Sequence, residues 1–286
     1  MKRASSPSGS KKPAVPLSKL QSSILRTLAQ NRDPQSYVAG GTLLTRGGPR
    51  SSDDIDIFHD REEKVARAAD VDSAALERAG MRVRWQRREP SFFQALVEFH
   101  GETTKLEWVV DSDFRFFPIQ EDAEFGYALH PVDLACNKVM AAAGRREPRD
   151  IVDVVTIHDE ILPIGAVIWA AVEKALGFTP EGLIDEIRRN SNYVAADFRR
   201  VASSPPTDAA AIMSRLREAL RQAEAFVARM PTEKIGLLFL EGGKIVQPDP
   251  GRLEAYATHA GRREGHWPSS SEIGGALLER HSRRAP

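Results

Sequence analysis

Gly40-Gly41-Thr42 is followed, after eleven residues, by Asp54-Ile55-Asp56-Ile57-Phe58, and this pairing decides the fold of the 286-residue chain. Residues 54–58 alternate with the period of a strand, so Asp54 and Asp56 share one face while Ile55 and Ile57 anchor the other. Ser36 to Ala39 reads as a short strand running into Gly40 and Gly41. Two residues without side chains let the backbone close on a phosphate and aim successive N–H groups at anionic oxygens. Thr42 adds a hydroxyl donor. Carboxylates at i and i+2 on a strand reach a common ion, and Mg²⁺ favours such hard oxygens together with phosphate oxygens. Each piece alone is weak, since a glycine turn is common and such an acid pair is more often solvated or salt-bridged. Their combination at this spacing is specific.

Working outward, Leu17, Leu20, Ile24, Leu25 and Leu28 recur at helical spacing after Pro16, predicting a helix of about four turns. Glu62 to Ala79 has helical composition and stops at Gly80, a natural left-handed cap. Three strands are predicted next, over Met81 to Gln86, Ser91 to His100 and Thr104 to Val110. From Pro131 the texture turns helical: Pro131 to Ala143, Pro148 to His158, Ile164 to Leu176, Pro180 to Arg189 and Ala209 to Met230. Ile235 to Leu240 and Lys244 to Gln247 read as a late hairpin across Gly242-Gly243, and about the last 35 residues as loosely structured. The class is therefore α+β, with a disordered basic arm over 1–14, a mixed sheet backed by helices over 15–128, and a mainly helical unit over 129–286 that carries the hairpin at 235–247.

Composition narrows the function classes. Hydrophobic residues make up 41% and charged residues 28%, ordinary for a folded soluble chain. Lys plus Arg equals Asp plus Glu at 40 each, so no overall positive field draws in nucleic acid, although local patches remain open. Cys136 is the only cysteine, which excludes an intramolecular disulfide and a thiolate zinc cluster. No apolar run long enough to cross a membrane and no secretory leader is found, so a cytoplasmic protein without membrane partners is expected. Walker-type, dinucleotide-binding and His-Glu-x-x-His motifs are absent, and His59, His100, His130 and His158 lack metal-ligand spacing.

A second series lies further on. Leu134, Lys138, Ala141 and Arg145 fall on one helical stripe if Gly144 does not end the helix early, so a lysine and an arginine can reach toward a triphosphate presented by a facing sheet. Asp150 and Asp153, three apart on the next helix, stand ready to orient Lys138, Arg145 or Arg149.

Gly-Gly-Thr followed by Asp-x-Asp resembles the first signature of the DNA polymerase β-like nucleotidyltransferases. Arg50-Ser51-Ser52-Asp53-Asp54-Ile55-Asp56, with Lys138, Ala141, Arg145, Arg149, Asp150 and Asp153, is similar to the motifs of the AbiEii/AbiGii-type nucleotidyltransferase toxins. The likeness spans roughly residues 36 to 160, with a breaker-rich link at Gly47-Gly48-Pro49 and no family signature in the C-terminal half. It implies Mg²⁺- or Mn²⁺-dependent transfer from a nucleoside triphosphate to an acceptor hydroxyl. Asp54, Asp56 and Glu107 would be the metal and catalytic acids, with Asp111 and Asp113 as competitors for the place of Glu107. Gly40, Gly41, Thr42, Arg50, Ser52, Lys138 and Arg145 would hold the nucleotide, with Lys138 and Asp150 also in the catalytic set. An RNA acceptor of the tRNA kind and an antitoxin partner are implied by the same kinship. The alternatives are a transferase for a small hydroxylated molecule such as an aminoglycoside, and a catalytically silent nucleotide-binding protein.

Overall fold

The computed structural model describes residues 17–46, 50–174, 177–203 and 206–268. The basic arm, the Gly47-Gly48-Pro49 link and the end of the loosely structured tail lie outside the described residues.

Helix α1 (Lys19–Leu28) begins two residues later than the leucine pattern suggests, because Ser18 caps it in a reciprocal box with Gln21. Strand β1 (Ser36–Ala39) feeds a short helix α2 (Gly40–Leu44), and β2 (Asp54–His59) carries the paired acids. Helix α3 (Glu62–Arg78) leads to β3 (Arg82–Glu89), β4 (Phe92–Phe99) and β5 (Glu102–Val110). Three short strands follow, β6 (Phe114–Arg115), β7 (Gln120–Asp122) and β8 (Gly126–Ala128). Seven of these strands form one sheet in the order β3-β4-β5-β2-β1-β8-β7, in which β2 runs parallel to β5 and β1 to β8 while the other pairs are antiparallel.

Alternation gives the sheet two unlike faces. Ile55, Ile57, Leu106, Trp108, Ala95 and Val97 are buried together with Leu20, Ile24 and Leu25 of α1 and Val65, Ala69 and Leu76 of α3. Burying one such side chain contributes about 1.5–3 kcal/mol. Within this layer Asp72 accepts from Arg32, Asn31 and the Trp108 indole, so a fully buried acid is satisfied by three donors. The opposite face carries Asp54 and Asp56 of β2, Lys105 and Glu107 of β5 and Gln94 of β4.

Five helices pack against that second face or beyond it: α4 (Pro131–Gly144), α5 (Pro148–Glu160), α6 (Ile164–Ala171), α7 (Pro180–Asn190) and α8 (Ala209–Val227). Each residue of α6 is buried, and the helix predicted through Leu176 ends at Ala171 in a tighter turn over Val172–Lys174. The late hairpin exists as β9 (Leu237–Glu241) and β10 (Lys244–Val246), joined by β11 (Ala257–Ala260). Strand β12 (Arg262–Arg263) returns to pair with β6. The expectation of a loose tail is thus wrong for residues 257–263. These strands are too short to show a period, and β12 finds its partner 147 positions away, where Arg262 sits opposite Arg115. Among the described residues, no helix is long and apolar enough to cross a membrane.

Candidate active site

The site lies where β1 gives way to α2. Gly40 has φ of +67°, a left-handed conformation that favours glycine, and a Cβ there would fall 1.8 Å from Asp56 Oδ2. A Cβ on Gly41 would meet Ser52 Oγ at 2.5 Å. The two glycines therefore let the backbone approach the acids themselves: the Gly41 N–H donates to Asp56 Oδ2 at 3.3 Å. The Thr42 hydroxyl, fully buried, donates to the Asp54 carbonyl at 2.6 Å and pins α2 to β2.

Register places the acids side by side, Asp54 opposite Lys105 and Asp56 opposite Glu107 on the parallel neighbour. Asp54 is buried. It accepts from Ser52 Oγ at 2.8 Å and from Arg149 Nη1 at 3.1 Å, with Lys105 Nζ at 3.9 Å. Burial opposes its charge, but Arg149, Ser52 and Lys105 together hold its carboxyl below the usual range. Asp56 behaves oppositely. Desolvation, the nearby Asp54 charge and that of Glu107 push it up to about 7, against the pull of Lys138 and the Gly41 amide. Glu107 accepts from Gln94 Nε2 at 2.6 Å.

Helices α4 and α5 close the site with cations. Lys138 Nζ meets Asp153 Oδ2 at 2.8 Å, and Arg50 grips the same carboxylate through Nε at 2.6 Å and Nη2 at 2.7 Å. Burial disfavours the Asp153 charge, but Lys138 and Arg50 outweigh it and lower its pKa.

Several predicted roles change with this geometry. Helix α4 ends at Gly144, and Arg145 is an extended cap residue that turns to Asp150 at 2.7 and 3.1 Å, so it leaves the Lys138 stripe. Asp150 thereby holds Arg145 through both carboxylate oxygens. Arg50 is buried on Asp153, and the Thr42 and Ser52 hydroxyls donate to Asp54, so in this structure all three expected phosphate donors have partners within the protein. Glu107 lies opposite Asp56 in the parallel register, and among the described residues no three His, Cys, Asp or Glu side chains are gathered tightly enough to form a metal cage by themselves. Asp111 accepts from Asn137 and Asp113 pairs with Arg263, which takes both competitors for its place to other tasks. Conversely, Lys105 reaches Asp54 although it was not placed in the site from sequence, and Arg149, named only as a member of the second motif series, reaches it as well. The signal for Lys105 was its two-residue spacing from Glu107 on one strand face. That for Arg149 was its position in the first turn of α5 beside Asp150.

A mixed sheet that offers two acids beside a glycine turn, faced by helix-borne cations, is nucleotidyltransferase architecture. The fold resembles that of MenT4, a nucleotidyltransferase toxin from Mycobacterium tuberculosis H37Rv, with a TM-score of 0.53 at 17% identity over 75% of this chain and 84% of that one. The Helicobacter pylori protein JHP933 aligns with a TM-score of 0.47 at 14% identity, over 74% and 91% respectively. No curated protein matches. The family model described as "Nucleotidyl transferase AbiEii toxin, Type IV TA system" matches residues 23–229, and the chain belongs to that family.

Proposed function

We propose that the protein transfers a nucleotidyl group from a nucleoside triphosphate to an acceptor hydroxyl on RNA, in the cytoplasm, and that an antitoxin restrains it. The observation that carries the reading is the register of Asp56 against Glu107, next to Asp54 and the Gly41 amide. In that division of labour residues 15–128 supply the acids and 129–286 supply Lys138, Asp153 and Arg149.

The donor set suits a divalent cation, Mg²⁺ or Mn²⁺: Asp56, crowded by two further carboxylates, is short of positive charge. Asp54 and Asp56 would hold the ion, which would supply charge neutralisation and polarisation of the α-phosphorus. The chain's own groups do the rest. Lys138, fixed by Asp153, and Arg149 and Lys105 line the path of a triphosphate and offset its charge. Glu107, steadied by Gln94, stands on the open side and takes the proton of the attacking hydroxyl. A bond forms from that oxygen to the α-phosphorus, the α–β phosphoanhydride bond breaks, and pyrophosphate leaves with the electron pair.

Labelled triphosphates incubated with total RNA test the proposal. Asp54→Asn and Asp56→Asn should each abolish labelling while circular dichroism stays native, since losing a metal carboxylate costs on the order of several kcal/mol of barrier. Undiminished labelling in both variants would overturn it. Labelling of a small hydroxylated acceptor, with RNA left unlabelled, would favour the small-molecule alternative.

A further inference from the structure

Four cations surround the acids, and they differ in freedom. Arg50 and Lys138 are locked on Asp153 with side chains only 4% and 9% exposed. Arg149 is 30% exposed, projects from the first turn of α5, and donates to Asp54 Oδ2. The other oxygen of that carboxylate already accepts from Ser52. Asp54 is therefore fully engaged by groups of the protein, whereas Asp56 has only the Gly41 amide.

Resting on the nucleotidyl-transfer reading, we infer that Arg149 is a resident stand-in for the divalent cation, holding Asp54 until metal and triphosphate arrive together and then moving from the carboxylate to a phosphate. Two consequences follow from the charge balance. Metal alone binds poorly, because it must break the Arg149 to Asp54 contact and leave a half-buried guanidinium with only the weaker pull of Asp150 and Glu147. A triphosphate removes that penalty by offering the guanidinium a new acceptor, to which arginine is suited by its forked donors. Metal and nucleotide are thus coupled by more than their mutual attraction, and the coupling is reciprocal. Lys105, further from Asp54 and 43% exposed, cannot take over the contact without moving.

The test is titration of Mn²⁺ alone, followed by calorimetry, into the full chain and into Arg149→Met. The variant is expected to bind Mn²⁺ about tenfold more tightly, the worth of one charged hydrogen bond at its lower end. With Mn²⁺ saturating, the same variant should bind a non-hydrolysable triphosphate about tenfold more weakly. Arg149→Lys should fall between the two proteins in both measurements. Arg146→Met removes a neighbouring charge that bonds to the Asn192 carbonyl and stacks on Tyr193, and should leave Mn²⁺ affinity unchanged. Unchanged or weaker Mn²⁺ binding by Arg149→Met overturns the stand-in role, as does equal tightening by Arg146→Met. If Arg149→Met proves unfolded, Arg149→Lys decides by the same sign. Failure of the wild type to bind Mn²⁺ even with triphosphate present would instead sink the nucleotidyl-transfer reading itself.

Discussion

Replacing Asp153 by alanine removes one carboxylate that serves two buried cations. Three contacts are lost at once: Arg50 Nε at 2.6 Å, Arg50 Nη2 at 2.7 Å and Lys138 Nζ at 2.8 Å. Asp153 is 2% exposed, so solvent cannot fill the gap cheaply. Breaking a buried pair by deleting one partner costs about 3–5 kcal/mol, because the survivor stays charged in a poor solvent. At roughly 2–4 °C per kcal/mol for a chain of this size, thermal unfolding at pH 7 should drop by about 6–20 °C. The cost should have a pH signature. A carboxylate whose pKa is depressed on folding stabilises the protein above its unfolded value of about 3.9, and that contribution fades only as pH falls below it. The gap between wild type and variant should therefore be constant from pH 8 to 5 and close toward pH 3. Combining Asp153→Leu with Arg50→Met and Lys138→Met should recover most of the stability while leaving transfer dead, since an apolar replacement of a buried ionic cluster is often neutral. A stability loss below about 1 kcal/mol for Asp153→Ala would refute the view that this carboxylate joins the sheet loop to the helical layer.

Gly40→Ala places a methyl within 1.8 Å of Asp56 Oδ2 at a positive φ, so the acid or the turn must shift. Misplacement of that order should lower transfer by about a hundredfold, read in the labelling assay with folding checked by circular dichroism. His59 is buried with neither ring nitrogen partnered, and burial, with Arg32 and Lys64, lowers its pKa to about 3. The unfolded chain binds the proton first, so stability falls as pH drops from about 6.5 toward 3. His59→Leu should remove this dependence, gaining about 2 kcal/mol relative to wild type between pH 6.5 and 5 in urea titrations. Equal slopes for both proteins would contradict it.

The sheet was readable because its strands alternate cleanly. Asp54 to Phe58 and the three strands to Val110 each place one apolar face against α1 and α3. The α+β class with a mixed sheet backed by helices follows from that pattern. Helix α2 was invisible, since five residues beginning Gly-Gly carry no helical propensity and are held by Thr42 and by packing. The misreading of Arg145 had a single cause: one glycine ended α4 a residue too soon for the stripe to continue. Partners across long separations were equally hidden. Nothing local in Arg50 announces Asp153, and nothing in Arg149 announces Asp54.

Strand β12 closes on β6 only after 147 further residues have been made. At a synthesis rate of about 5–20 residues per second, Phe114 and Arg115 wait roughly 7–30 s for their cross-strand mate. During that interval a bare strand edge and the ring of Phe117, later covered by His259, face solvent and neighbouring chains. A nascent toxin of this shape is open to capture by another chain before it is finished, and shortening its tail ahead of residue 257 would make that exposure permanent.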